Sequence, residues 1–281
     1  VWLFEALAEN FGVTTDLWRV QAFRAVFGLA CLVKFAEAFR HGGWRRFEAG
    51  TYPRFQLVRR KGALGEGVAR FHKTLLVVRC APALGIALGV ATKACLLLLI
   101  AALALELVYD PRKHPVYFIV NAACLLVAGE PGTLPEFDAG SSSANTWAQW
   151  LIMITTFHLY WNSAWLKWRS PQFRSGRTLA QLTHVAAVVA DRTRHREYCL
   201  PGWAWKPFAG GTPVDVRRWQ VIAQLTIALE VLLPVGLVVG RSHLVFFALG
   251  LGMHAVFTLL KPRALVPFSM VTVASYLAFV P

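Results

Sequence analysis

The run Ala94-Cys-Leu-Leu-Leu-Leu-Ile-Ala-Ala-Leu-Ala-Leu105 is unbroken by a polar side chain and lies inside a longer apolar stretch, 83–108. A helix needs about 20 apolar residues to cross a bilayer, so this stretch reads as a span. Working outward, comparable stretches occur at 19–39, 115–129, 146–168, 218–240, 243–260 and 264–280, the stretch 115–129 being the shortest. The 281-residue chain is 56% hydrophobic and 16% charged, well below the ~25% charge of an ordinary soluble domain. Together these features predict an all-α integral membrane protein. They predict one domain over 1–281, a bundle of six to seven transmembrane helices with an interfacial amphipathic helix and one long structured loop. The expected location is a bacterial inner membrane, with membrane lipids as partners. Disorder is excluded by the apolar content.

The charge balance, 29 Lys+Arg against 15 Asp+Glu for a net +14, raises the question of nucleic acid. The cations cluster between apolar runs, however, where anionic headgroups explain them, so no nucleic-acid partner is expected. A protein partner is not indicated. The basic segment 40–82 carries Val68, Phe71, Leu75 and Val78 at helical spacing and reads as an interfacial helix or as a solvated basic loop. Residues 169–217 form a long loop rich in Arg, Trp, Pro and Gly, within which 178–190 has helical character. Residues 130–145 read as a flexible acidic loop. The five cysteines are scattered without a CxxC pair, which argues against a disulfide framework or zinc site. The N-terminus has no basic segment preceding a short apolar core, so no cleavable signal is expected.

Ionisable groups inside apolar helices are costly and therefore candidates for function. They are Arg24, Lys34, Glu37, Lys93, Glu106, His158, Lys167, Glu230 and His254. Lys34 and Glu37 share a helix face and can neutralise each other. The richest stretch is Thr156-Phe-His-Leu-Tyr160-Trp-Asn-Ser163-Ala-Trp165-Leu-Lys167-Trp-Arg169. At 100° per residue Tyr160, Ser163 and Lys167 fall together. Lys167 is either a snorkelling anchor or an amine desolvated among tryptophans until it can act as a base. His114, Tyr117 and Asn121 lie on one helical stripe, with His114 read as a cap or headgroup contact unless that stripe faces inward. Glu230 precedes Pro234 in mid-helix, and His254 lies among small residues. These two can pair as structural support or take part directly in chemistry. No Walker A loop, HExxH, GxSxG or metal-spaced histidine cluster is present.

Several of these residues fall into one pattern. Tyr160-x6-Lys167 followed by Arg169-Ser-Pro-Gln-Phe-Arg-Ser-Gly176-Arg-Thr-Leu-Ala180, together with Arg112-Lys-His114-Pro-Val-Tyr117, Ala228-Leu-Glu230-Val-Leu-Leu-Pro234 and Met253-His254-Ala, resembles the vitamin K-dependent gamma-carboxylase family and its bacterial relatives with a horizontally transferred transmembrane domain. The likeness runs from about Trp18 onward. It is to a short bacterial-type member without the large extramembrane C-terminal portion, so carboxylation of a protein is not implied. The resemblance implies Lys167 as catalytic base and His114 as the histidine that stabilises a reacting quinone oxygen. It also implies a reduced quinone as a possible cofactor; no metal is expected, because no metal motif is present.

The resulting expectation is a membrane-embedded enzyme, of lyase or oxygenase-like type, performing acid–base chemistry on a lipophilic small molecule in an intramembrane pocket. The substrate would be quinone-like or isoprenoid-like, and isoprenoid cyclisation is included. Lys167 and His114 would be catalytic, and Tyr160, Ser163, Trp165, Tyr117, Asn121, Glu230 and His254 would line the substrate. The competing expectation is a non-enzymatic membrane transport, immunity or scaffold protein with the same bundle.

Overall fold

A computed structural model describes residues 14–40, 43–109, 114–129, 143–145, 147–192, 216–238, 243–260 and 262–279. The described elements are β1 (Thr14–Asp16), α1 (Leu17–Arg40), a 3-10 turn (Gly43–Phe47), α2 (Tyr52–Val78), α3 (Cys80–Leu88), α4 (Thr92–Tyr109), α5 (His114–Ala128) and β2 (Ser143–Asn145). They continue with α6 (Trp147–Arg169), α7 (Pro171–Arg174), α8 (Arg177–Arg192), α9 (Val216–Val238), α10 (His243–Leu260), α11 (Pro262–Ser275) and a 3-10 turn (Tyr276–Phe279). The chain divides into two compact units, Val1–Ile152 and Met153–Pro281.

In the first unit, β1 and β2 pair antiparallel with Thr14 opposite Asn145. The core is a set of helical stripes: Phe23, Phe27, Cys31 and Phe35 on α1, Leu96, Leu99 and Leu103 on α4, and Ile119, Ala123 and Leu126 on α5 are all buried. These positions recur every three or four residues, as a helix facing a core requires. Charge is buried with them. The guanidinium of Arg24, fully buried, donates from Nη1 to the Ile86 carbonyl at 2.8 Å. Lys34 Nζ donates to both carboxylate oxygens of Glu106 at 2.9 and 2.8 Å, and Arg79 Nη1 reaches the same carboxylate at 3.3 Å. Glu106 is thus a buried anion held between two cations.

The second unit is built from most of α6 and the helices that follow, α9 packing on α10 and α10 on α11. Ala164, Ala223, Ile227, Leu233 and Leu237 supply its apolar interior. A short connection ties α6 to α8. Ser170 caps α7 by accepting from the Phe173 amide at 3.2 Å, and Pro171 opens that helix with a preset φ.

The expected bundle of six to seven transmembrane helices is not what the structure shows. Among the described residues two helices are long and apolar enough to cross a membrane, Tyr52–Leu88 and Arg217–Val238. The reasons are local. The stretch 83–108 is broken where Gly89 and Ala91 take positive φ of 79° and 45°, leaving α3 with nine residues. Helix α1 carries Arg19, Arg24, Lys34 and Glu37 along its length, while 116–128, 244–258 and 265–275 are short. Nor is 40–82 an interfacial helix with the expected stripe. It forms most of the first long helix, its inward residues are Leu57, Gly65, Val68, Ala69, His72 and Leu76, and Phe71 and Val78 are exposed. The inner-membrane location, the partnership with membrane lipids and lipophilic small molecules, and the membrane transport, immunity or scaffold roles were drawn from that bundle and fall with it. Of the loop 169–217, residues 193–215 lie outside the described residues; 178–190 fall within α8.

Candidate functional site

The second unit brings five of the sequence-derived residues into two adjoining polar clusters. In the first, Lys167 Nζ forms an ion pair with Glu230 Oε1, and Ser163 Oγ donates to the same oxygen at 3.2 Å. Ser163 and Lys167 are four residues apart on α6, hence on one face, and both reach across to α9. The Lys167 ammonium also lies 5.5 Å from the ring centroids of Phe173 on α7 and Phe257 on α10, close enough for cation–π attraction. Glu230 is 3% exposed, and its second oxygen, Oε2, is buried with no hydrogen-bond partner among the described residues. One turn further on, Pro234 lacks the amide hydrogen that would close the helix onto the Glu230 carbonyl.

The second cluster centres on Tyr160. Its hydroxyl bonds His254 Nε2 at 2.6 Å and also the Tyr276 hydroxyl. His254 Nδ1 is 3.0 Å from Ser269 Oγ, and Thr258 Oγ1 donates to that same oxygen at 3.2 Å. Nearby, Thr156 Oγ1 donates to Ser275 Oγ at 3.0 Å. Burial, followed by the positive charge of Lys167, pushes His254 down to about 4, so its ring is neutral near pH 7. Burial raises Tyr160 and Tyr276 above the ordinary phenol value; the neighbouring Tyr276 and Glu230 add to the rise for Tyr160, while the hydrogen bond shared with Tyr160 opposes the rise for Tyr276. The cluster therefore exchanges hydrogen bonds between neutral groups. Gly250 makes room for it, since a Cβ there would meet the Tyr276 ring edge at 2.6 Å and its hydroxyl at 2.7 Å.

The other assignments are redistributed. Glu230 and His254 do not pair with each other: the first joins Lys167 and Ser163, the second Tyr160 and Ser269. Lys167 is not a free amine in a greasy chamber, because its charge is matched by Glu230. Tyr117 and Asn121, on α5 of the first unit, are exposed, while Val116, Ile119 and Ala123 of that helix point inward. His114 begins α5, and its side chain lies outside the described residues. Trp165 is exposed, and at 100° per residue it falls on the opposite side of α6 from Lys167. It lines a groove of about 1100 Å³ between α6, α7 and α9 to which neither Lys167 nor Glu230 contributes. The expectation of an intramembrane pocket around a lysine base is accordingly withdrawn. Among the described residues no group of three or more His, Cys, Asp and Glu is placed to hold a metal ion.

Sequence reasoning missed Tyr276 and Ser269, which carry no local signal and enter the cluster only through the packing of the last two helices. It grouped Trp161, Trp165 and Trp168 around the Lys167 amine, although their i, i+4, i+7 spacing places them on one helical face and Lys167 on another, and the groove they line does not include Lys167. No family model, no curated protein and no solved structure matches the chain.

Proposed function

We propose that the second unit is the acid–base centre of an enzyme of the lyase type, with Glu230 as the proton-accepting group and Lys167 as the charge that positions it. The observation that carries this reading is the unpartnered, buried Oε2 of Glu230 beside an Oε1 already held by Lys167 and Ser163. A buried carboxylate oxygen without a donor is costly to maintain, and burial raises the Glu230 carboxyl above its ordinary value against the opposing pull of Lys167 and Ser163, which favours taking up a proton. General-base catalysis requires such a group within hydrogen-bond reach of the proton it removes. The ammonium of Lys167 adds a positive field in a site of low dielectric, which favours a transition state that gathers negative charge. Kinship with the gamma-carboxylase family is held as part of the same proposal and rests on the order of Tyr160, Lys167, Gly176, Glu230 and His254 along the chain.

The test uses 5-nitrobenzisoxazole, a small probe whose ring opens to a coloured phenolate when a base removes its carbon-bound proton. Purified protein accelerates opening above the buffer rate, and Glu230→Gln lowers the acceleration by about 10²-fold or more, the usual range for loss of a general base. Lys167→Arg retains part of the rate. An unchanged rate in Glu230→Gln overturns the assignment.

A further inference from the structure

A second site lies about a third of a turn around α6 from the ion pair, by the 100° advance per residue, and stands independently of it. Trp161, Trp165 and Trp168 form a ladder spanning about 10 Å along the helix, at 1.5 Å per residue. Facing them on α9 are the amides of Gln220 and Gln224, and Arg174 of α7 lies in the same lining. The three indoles are 48%, 58% and 56% exposed, a large apolar surface to leave uncovered. They are also held in place. Trp161 Nε1 donates to the Val231 carbonyl at 3.2 Å, and the guanidinia of Arg169 and Arg174 lie over the rings of Trp165 and Trp168 at 5.6 and 5.5 Å.

Charge decides what such a groove takes. Among the described residues no acidic side chain lines it. At the end where Gly176 abuts Trp219 and Gln220, the exposed cations Arg174, Arg177, Arg217 and Arg218 gather within a few residues of that contact. Stacking surfaces, amide edges and a guanidinium at one end match a flat ring that carries a phosphate: indole faces stack on aromatic rings, amides pair with ring edges, and guanidinium binds phosphate bidentately. The groove volume suits a ligand of this size. From this arrangement we infer that the α6–α9 groove binds a planar aromatic phosphate of mononucleotide size.

The experiment titrates the full chain with flavin mononucleotide and, separately, with adenosine 5′-monophosphate, reading flavin and tryptophan fluorescence quenching, with riboflavin, adenosine and inorganic phosphate as controls. Flavin mononucleotide or the adenosine phosphate binds one per chain, while the phosphate-free partner and phosphate alone each bind at least tenfold more weakly. Arg174→Gln and Trp165→Ala, both at exposed positions, each weaken binding tenfold or more with unchanged circular dichroism. Equal binding of the phosphorylated and phosphate-free forms, no quenching by either phosphate at millimolar concentration, or affinity indifferent to both substitutions overturns the proposal. So does a Trp165→Ala variant whose sole change is loss of self-association in sedimentation, which makes the groove an interface between copies.

Discussion

Lys167 and Glu230 stand sixty-three residues apart in sequence and meet as an ion pair whose carboxylate is 3% exposed and whose amine is 23% exposed. The two are unequal in what their loss leaves behind. Removing the amine strands a buried negative charge, whereas removing the carboxylate frees a lysine that can still reach solvent. Lys167→Met therefore costs about 3 kcal/mol, at the lower end of the range for breaking a buried pair because Lys167 is partly exposed. Glu230→Leu alone costs less, and the double variant Lys167→Met/Glu230→Leu recovers most of the loss. Chemical-denaturation midpoints of the four proteins check this. A double variant destabilised by the sum of the singles shows that the two side chains act separately.

Much of the helical skeleton was legible because an apolar run longer than a strand must close its own backbone hydrogen bonds. The stretches 19–39, 146–168 and 218–240 correspond to Leu17–Arg40, Trp147–Arg169 and Val216–Val238. What apolar length could not decide was whether a helix buries its surface against protein or lipid, since both demand the same side chains. It also could not foresee the interruption at Gly89–Ala91, where left-handed backbone geometry divides one apolar stretch into two helices. At the site, the grouping of Ser163 with Lys167 followed from helical periodicity. The choice of Glu230 over His254 as the partner of Lys167 depended on how α9 and α10 pack, which spacing along α6 does not encode.

His254 gives the second unit a pH dependence with a definite sign. Its folded-state value, about 4, lies below the ~6.5 of an unfolded chain. Between those values the unfolded chain binds a proton that the folded ring refuses, so stability is full above pH ~6.5 and falls as the pH drops toward 4. The loss over that window is on the order of 3 kcal/mol. His254→Asn keeps a polar side chain and removes the titration. The urea midpoint of the parent protein should therefore fall more steeply from pH 7 to pH 4 than that of the variant. Parallel slopes would show that the His254 ring is protonated in the folded protein as readily as in the unfolded one.

Gly176 closes the connection between α6 and α8 that Ser170 and Pro171 open as the cap and first residue of α7. It has φ +76°, and a Cβ there would overlap the backbone of Trp219 and Gln220 on α9. Two penalties therefore coincide in Gly176→Ala: a left-handed backbone that an L side chain resists, and a collision with main-chain atoms that have no alternative rotamer to adopt. Each contributes about 1–3 kcal/mol, so thermal unfolding should shift downward by several degrees. The groove wall formed by Gln220 should move with the displaced α9 backbone, whereas the Tyr160–His254 cluster is supported by α10 and α11 and should keep its geometry. Hydrogen exchange separates the two regions: faster exchange confined to the first turns of α9 fits this account, and unchanged exchange there means that the turn yields without disturbing the helix it touches.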